Sequence, residues 1–207
     1  MTKSLILASG SSIRRTMMEG AGLRFSVQTA AIDERALEDQ LGAVAPEELA
    51  VALATAKAQA VCETVSPSNQ GSLIIGADQV LEHEGKLLHK AETRSEADDK
   101  LAQLQGSTHH LIAAVVLVRN GETLWTGLDR ASLTMRPLSE AERSAYLDRA
   151  GDAATQSVGA YRLEELGSTL FERIEGDYFT ILGLPLLPLL AALREHGIDP
   201  LLETLPS

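Results

Sequence analysis

The chain alternates short apolar runs with polar breaks, and the spacing within each run predicts its element. Leu5–Ala8 is uninterrupted and apolar, which predicts a short buried strand. Ser9-Gly10-Ser11 follows as a small-residue loop, and a helix is predicted over Ser12–Glu19, ended by the glycines Gly20 and Gly22. Phe25–Thr29 alternates and predicts a second strand. Pro46–Val65 predicts a long helix, with proline in its first turn and Glu47 and Glu48 complementing the dipole. Ser66-Pro67-Ser68-Asn69 breaks it, and Leu73–Ala77 is a short strand ending at Asp78. Ser95, with Glu96 and Asp98 behind it, predicts a helix N-cap. Leu111–Val118 is apolar throughout and predicts a central strand, with Asn120-Gly121 as a hairpin signal. Thr123–Thr126 and Ser132–Met135 are two further strands, and Ser139 with Glu142 forms a capping box for a helix to about Arg149. Gly151–Ser168 is irregular, and a last helix is predicted over Pro185–Glu195 with Gly197 as its stop. This order predicts an α/β fold, a mixed sheet covered by helices. With no repeat or flexible linker, the expectation is a single domain over residues 1–207.

Composition narrows the function classes. Of 207 residues, 44% are hydrophobic and 23% charged, as in ordinary globular proteins, but only 3% are aromatic. The core must therefore be aliphatic, and stacking platforms for single-stranded nucleic acid are scarce. A formal net charge of -11 argues against a nucleic acid polymer or an anionic membrane as partner. Cys62 is the only cysteine, which excludes an intramolecular disulfide and suits a reducing cytoplasm. The N-terminal apolar run is too short for a signal peptide. Leu184–Leu193, interrupted by Pro185 and Pro188, reads as a buried helix start and not a membrane span.

Against that acidic background the segment Leu5–Arg15 is locally cationic: Lys3, Arg14 and Arg15 all precede the first acid, Glu19. A strand, a Ser-Gly-Ser turn and a helix N-terminus favour a bound anion, and arginine donors suit phosphate oxygens. Four other spots carry charge: Asp33-Glu34 after a strand, Lys57 within the apolar face of the long helix, Asp78-Gln79 at the C-terminal end of a buried strand, and Lys90 in a loop. Carboxylates at strand ends can bind Mg²⁺ or orient water, and lysine and arginine neutralise moving phosphate charge. Together they describe a metal-assisted phosphoanhydride hydrolase. Each spot alone also has an ordinary reading: the arginines as solvated helix charges, Asp33-Glu34 as a turn, Lys57 as a snorkelling side chain. P-loop, dinucleotide-binding and nucleophile-elbow signatures are absent, so neither Ser9 nor Ser11 is expected to act as a nucleophile. The five histidines lack metal-ligand spacing apart from the adjacent His109-His110, and are expected to be structural or solvated.

Taken in order, these spots resemble the Maf family of nucleoside triphosphate pyrophosphatases over nearly the whole chain. LILASGSSIRR resembles the family's L-A-S-x-S-P-R-R opening, Ile32-Asp33-Glu34 its V-D-E, and Ala56-Lys57-Ala58 its K-A helix element. Gly76-Ala77-Asp78-Gln79-Val80 resembles G-[AS]-D-x-V, and Gly106 with His109 a G-x-x-H turn. Gly159-Ala160-Tyr161, Ile174–Tyr178 and Gly183-Leu184-Pro185-Leu186 resemble its C-terminal blocks. The resemblance implies an elongated, curved mixed sheet with a central cleft, frequently in homodimers. It implies Mg²⁺- or Mn²⁺-dependent cleavage between the α- and β-phosphates, giving a monophosphate and pyrophosphate. Ser11, Arg14, Arg15, Lys57 and Lys90 would then hold the triphosphate, Glu34 and Asp78 the metal, and Asp78 would be the catalytic base.

The departures from the pattern point to a branch. Ser12 replaces the usual proline, and His89-Lys90-Ala91 the usual Gly-Lys-Pro. Gln79 stands where members acting on dTTP and UTP usually have threonine, and Glu164 where they usually have glutamine. These two residues, with Leu170–Arg173, resemble the branch acting on 7-methyl-GTP. The competing expectation is a non-catalytic nucleotide-binding regulator of cell division or septation. Against it stands the presence of both charge signs at Glu34, Lys57, Asp78 and Lys90, which a pure binder does not need.

Overall fold

The apolar run Leu5–Ala8 forms strand β1, buried at every position, and feeds helix α1 (Ser12–Gly20) through the Ser-Gly-Ser turn. A computed structural model describes residues 4–29, 31–66 and 71–202; Lys3 and the Pro67-Ser68-Asn69 break lie outside the described residues. Strand β2 (Ser26–Val27) pairs parallel to β1 and is shorter than Phe25–Thr29. Helices α2 (Glu34–Leu41) and α3 (Pro46–Thr64) lead to strands β3 (Leu73–His83) and β4 (Lys86–Leu88). Helix α4 (Arg94–Leu104) precedes the long hairpin of β5 (Thr108–Arg119) and β6 (Glu122–Met135). Helices α5 (Glu140–Ala150) and α6 (Ala153–Gln156), a 3₁₀ turn at Leu166–Leu170, strand β7 (Phe171–Glu175) and helices α7 (Tyr178–Ile181) and α8 (Leu186–Glu195) complete it.

Seven strands form one mixed sheet in the order β2-β1-β3-β5-β6-β7, with β4 also on β3. The expected α/β class is therefore what the chain adopts. Period-two alternation sorts the strands onto two faces. Ile6, Ala8, Ile74 and Val116 pack against Ala54 and Ala58 of α3. Leu5, Leu7, Leu73 and Ile75 pack with Met18 of α1 and Leu189 and Leu193 of α8. A third cluster joins the far ends of β5 and β6 to Leu101 and Leu104 of α4 and Leu147 of α5.

Several expected boundaries shift. Asp33 does not sit in a free turn: its carboxylate accepts from the Ala36 amide at 3.0 Å and caps α2, a helix that the polar sequence hides. The α4 cap is Thr93 and not Ser95. The two expected strands after the hairpin are one continuous β6, and Phe171–Glu175 adds an edge strand. The capping box at Ser139 and Glu142 is present with both of its bonds. Asn120 and Gly121 adopt φ 52° and 82°, the pair of positive values a type I′ turn needs.

One correction governs the site. Asp78 does not end its strand, because β3 runs five residues further, to His83. It remains accessible because the neighbour on one side stops: β1 pairs with β3 as far as Gly76, and β4 begins only at Leu81. Between them, residues 77–80 have β5 on one flank and no strand on the other.

Candidate active site

That gap opens into a cleft of about 1090 Å³. Its walls come from the β1–α1 turn, α2, α3, the residues after β4 and segment 155–165. Because side chains alternate along β3, Asp78 shares a face with Ile74 and Gly76, the face covered by α3. Lys57 of α3 reaches across to donate to Asp78 Oδ1, and its Nζ lies 2.7 Å from Glu34 Oε1 in the first turn of α2. One ammonium thus joins two carboxylates from separate elements. Asp78 is almost wholly buried and Lys57 mostly so, while Glu34 is half exposed, with side-chain exposures of 8%, 14% and 54%. The pairing answers why an acid can follow the apolar Leu73–Ala77: its charge is compensated on the spot.

Arg14 closes the gap from the other side. Its Nη1 donates to the Ala77 carbonyl at 2.8 Å, an acceptor the missing strand would otherwise have engaged. Nη1 also donates to Ser9 Oγ at 3.1 Å and Nε to the Gly183 carbonyl at 2.8 Å. Among the described residues Nη2 has no acceptor, so part of the guanidinium stays available at the cleft wall. Burial lowers its pKa, and Asp78 and Glu34 oppose that shift. Ser11 caps α1, its Oγ accepting from the Arg14 amide, so the positive end of that helix faces the cleft beside Ser9 and Gly10.

Arg15 is placed differently. It is exposed on the surface of α1, 2.7 Å from Glu19 one turn on, and is not among the residues lining the cleft. Lys90 lines the cleft from the loop after β4. Gln79 and Glu164 line it too. The Gln79 Nε2 donates to the carbonyls of Thr180 and Ile181 at 2.9 and 3.1 Å, which leaves Oε1 as its free acceptor. Thr180 is fixed in turn by its hydroxyl donating to Asp129 at 2.6 Å.

Gly159-Ala160-Tyr161, singled out in the sequence only by resemblance, forms a tight turn at the cleft. Ala160 sits at φ 60°, a left-handed conformation unusual for alanine, and Gly159 must lack a Cβ because one would lie 2.3 Å from the Tyr161 ring. The Tyr161 hydroxyl is 2.6 Å from His109 Nε2. Burial raises the Tyr161 pKa, keeping the phenol neutral. His109 is a core residue, in keeping with the structural reading expected of the histidines. Burial, with His83 and His110 nearby, pushes its pKa down to about 3.

The fold therefore prefers neutral His109, and the unfolded chain takes up the proton first. Its contribution to stability is complete above about pH 6.5 and is lost as pH falls toward about 3. The melting temperature is expected to drop over that interval, and less in His109→Gln than in the unsubstituted chain. Equal drops in thermal melts would remove His109 from the acid response.

Among the described residues no cluster of three or more His, Cys, Asp or Glu could cage a metal ion. The site instead offers Asp78 and Glu34. Mg²⁺ characteristically keeps several waters and binds through one or two carboxylates plus substrate phosphates. The donor set fits a cation that arrives with a polyphosphate, not a closed protein site.

The chain spans nearly the full length of the relatives it matches. A protein of Rhizobium etli named 7-methyl-GTP pyrophosphatase is 50% identical over 199 residues, covering 95% of this chain and 98% of that protein. A nucleoside triphosphate pyrophosphatase of Nitrobacter winogradskyi is 51% identical over 197 residues, covering 95% and 96%. A 7-methyl-GTP pyrophosphatase of Brucella abortus is 47% identical over 202 residues, covering 96% and 100%. The model of Maf-like proteins matches residues 4–196, from the start of β1 to the end of α8, with the whole cleft inside it, and so the chain belongs to the Maf family.

Proposed function

We propose that the protein is a nucleoside triphosphate pyrophosphatase that cleaves between the α- and β-phosphates, releasing a monophosphate and pyrophosphate, with a modified guanine nucleotide, 7-methyl-GTP, as its preferred substrate. The observation that carries the reading is the Asp78–Lys57–Glu34 bridge inside a cleft that the Arg14 turn and Lys90 also line. Lys57, Lys90, the free side of Arg14 and the Ser11-capped helix start hold the phosphates. Arg15 would have to leave Glu19 to join them. Asp78 takes a proton from the attacking water, and Lys57 keeps its carboxylate aimed. Glu34 and Asp78 would hold Mg²⁺ or Mn²⁺, which, when bound, neutralises charge developing on the leaving pyrophosphate.

Two observations support the guanine preference. Gln79 offers only its Oε1, and the Glu164 carboxylate offers only acceptors. Such a pair suits guanine, which presents an exocyclic amino donor, and the carboxylate suits the positive charge of the methylated ring. Relatives of about half-identical sequence carry that substrate in their names. The family match, running from residue 4 to 196 without a break, supports a single domain. A homodimer and a cytoplasmic setting belong to the same reading. Sedimentation should give twice the chain mass, and Cys62 is a free thiol. No helix among the described residues is long and apolar enough to cross a membrane.

The test is a pyrophosphate-release panel with 7-methyl-GTP, GTP, dTTP and UTP in Mg²⁺. The expected kcat/KM for 7-methyl-GTP exceeds that for GTP by about tenfold, the effect of one well-placed polar or charge contact. Equal rates would sink the guanine preference. No release from any nucleotide would sink the activity and favour a non-catalytic nucleotide binder.

A further inference from the structure

Lys100 is a buried lysine that the reaction above does not use. It lies on the inner face of α4, on the side of Ala97, Leu101 and Leu104, and is only 9% exposed. A buried ammonium needs acceptors, and Lys100 finds two. Its Nζ donates to the His89 carbonyl and, at 3.0 Å, to the Val158 carbonyl. Burial holds its pKa down to about 8, with Glu96 working the other way.

The two acceptors belong to different walls of the cleft. His89 immediately precedes Lys90, and Val158 lies in the 155–165 segment that also carries Tyr161 and Glu164. We propose that Lys100 is a positioning residue, a clamp beneath the cleft that ties the Lys90 loop to the Glu164 segment and so sets the distance between the phosphate-binding and base-binding ends of the site. A charge is the suitable tie. Neither loop is part of a strand ladder at these carbonyls, and ammonium-to-carbonyl bonds are stronger than neutral ones. Among the described residues the Lys90 loop has two other anchors: the His89 ring 3.5 Å from Glu38 of α2, which restrains a side chain, and, beyond Lys90, the Glu92 amide donating to Glu96 Oε2 at 2.8 Å in the first turn of α4; neither reaches the 155–165 segment. The register of Asp78, Lys57 and Glu34 is independent of the clamp, because those residues stand on β3, α3 and α2.

The assignment rests on the pyrophosphatase reading for its kinetic consequence, but not for its structural one. In Lys100→Met, which fills the space without a donor, KM for the triphosphate is expected to rise about tenfold with kcat changed less than about threefold, because ground-state and transition-state contacts from Lys90 loosen together. Lys100→Arg, which can still donate to both carbonyls, should restore KM to within about threefold of the unsubstituted protein. Hydrogen exchange on nucleotide-free protein reads the clamp itself: amides of 89–93 and 157–162 should exchange faster together in Lys100→Met, with α3 unchanged. If Lys100→Met does not fold, Lys100→Gln, too short to span both carbonyls, carries the same measurements. Unchanged exchange in both segments overturns the clamp. So does a KM rise that Arg leaves uncorrected. Faster exchange with no pyrophosphate release by the unsubstituted protein keeps the clamp and overturns the activity.

Discussion

Asp78→Asn is expected to lower kcat for pyrophosphate release by about a thousandfold, within the range a positioned general base contributes. The asparagine is nearly the same shape, so β3 and its pairing with β5 at Ala114 are not disturbed. What changes is chemical: the amide cannot accept the water's proton, and it cannot carry the charge that Lys57 neutralises. Lys57 retains Glu34 at 2.7 Å, so the ammonium is not stranded and the fold should survive with a lower melting temperature. KM should change far less than kcat, since Lys90, Arg14 and the start of α1 are untouched, while Lys57 and the metal each lose one partner and keep Glu34. Turnover within tenfold of the unsubstituted chain would strip Asp78 of the base role. A lost activity accompanied by a lost fold would be settled with Asp78→Asn/Lys57→Met, which removes the charges as a pair and should recover stability without recovering turnover.

The charged spots could be read from the sequence because each lies beside an apolar run whose period is clear. Their arrangement was less legible. Asp78 looked like a strand end because Gln79, Glu82 and His83 dilute the pattern, yet β5 pairs the strand through to Glu82. The interruption belongs to the neighbours β1 and β4, and no local pattern in β3 reports where another strand stops. Helix α2 was hidden for a related reason: its apolar stripe is only Leu37 and Leu41, of which Leu37 alone packs against the core, and none of its residues is fully buried. Arg14 and Arg15 are a different case, since the signal was present. Arg14 precedes Met17 and Met18 by three and four residues and is buried with them, whereas Arg15 precedes Glu19 by four and faces solvent. Lys100 carried the same kind of signal, three residues after Ala97 and four before Leu104 on the inner face of α4. A cation at a buried helical position is the sequence mark of a charge with work inside the fold. The tight Gly159–Tyr161 turn was marked only by its likeness to a family block and by no local pattern, because the ring that demands the glycine is positioned by His109 across the core.

Gly76→Ala is expected to destabilise the protein by about 3 kcal/mol, the upper end for overpacking, and to lower its melting temperature on the order of 10 °C. A Cβ at Gly76 would lie 2.1 Å from the Ala54 carbonyl oxygen, 2.8 Å from Ala58 Cβ and 3.0 Å from Val116 Cγ2. The closest atom is backbone in the middle of α3, so no rotamer change relieves it and the helix must move. That close approach is what the site requires. Ala54 and Ala58 bracket Lys57 on the same helix, and Gly76 precedes Asp78 by two residues on the same face of β3. Any displacement of α3 away from the sheet lengthens the contact between Lys57 and Asp78. A shift of about 1 Å at a catalytic contact typically costs about a hundredfold in rate, so turnover should fall even in the fraction that remains folded. Ala58→Gly added to Gly76→Ala would remove the second clash and leave the first, and is expected to rescue neither stability nor turnover. Gly20→Ala serves as the control, because nothing lies within 4 Å of a Cβ there, and it should melt no lower than the unsubstituted chain. Thermal melts together with pyrophosphate release at a temperature below both transitions separate the two effects. A Gly76→Ala variant with normal turnover would mean that α3 can withdraw from β3 without disturbing the Lys57 bridge, and Lys57 would then lose its place as the group that aims Asp78.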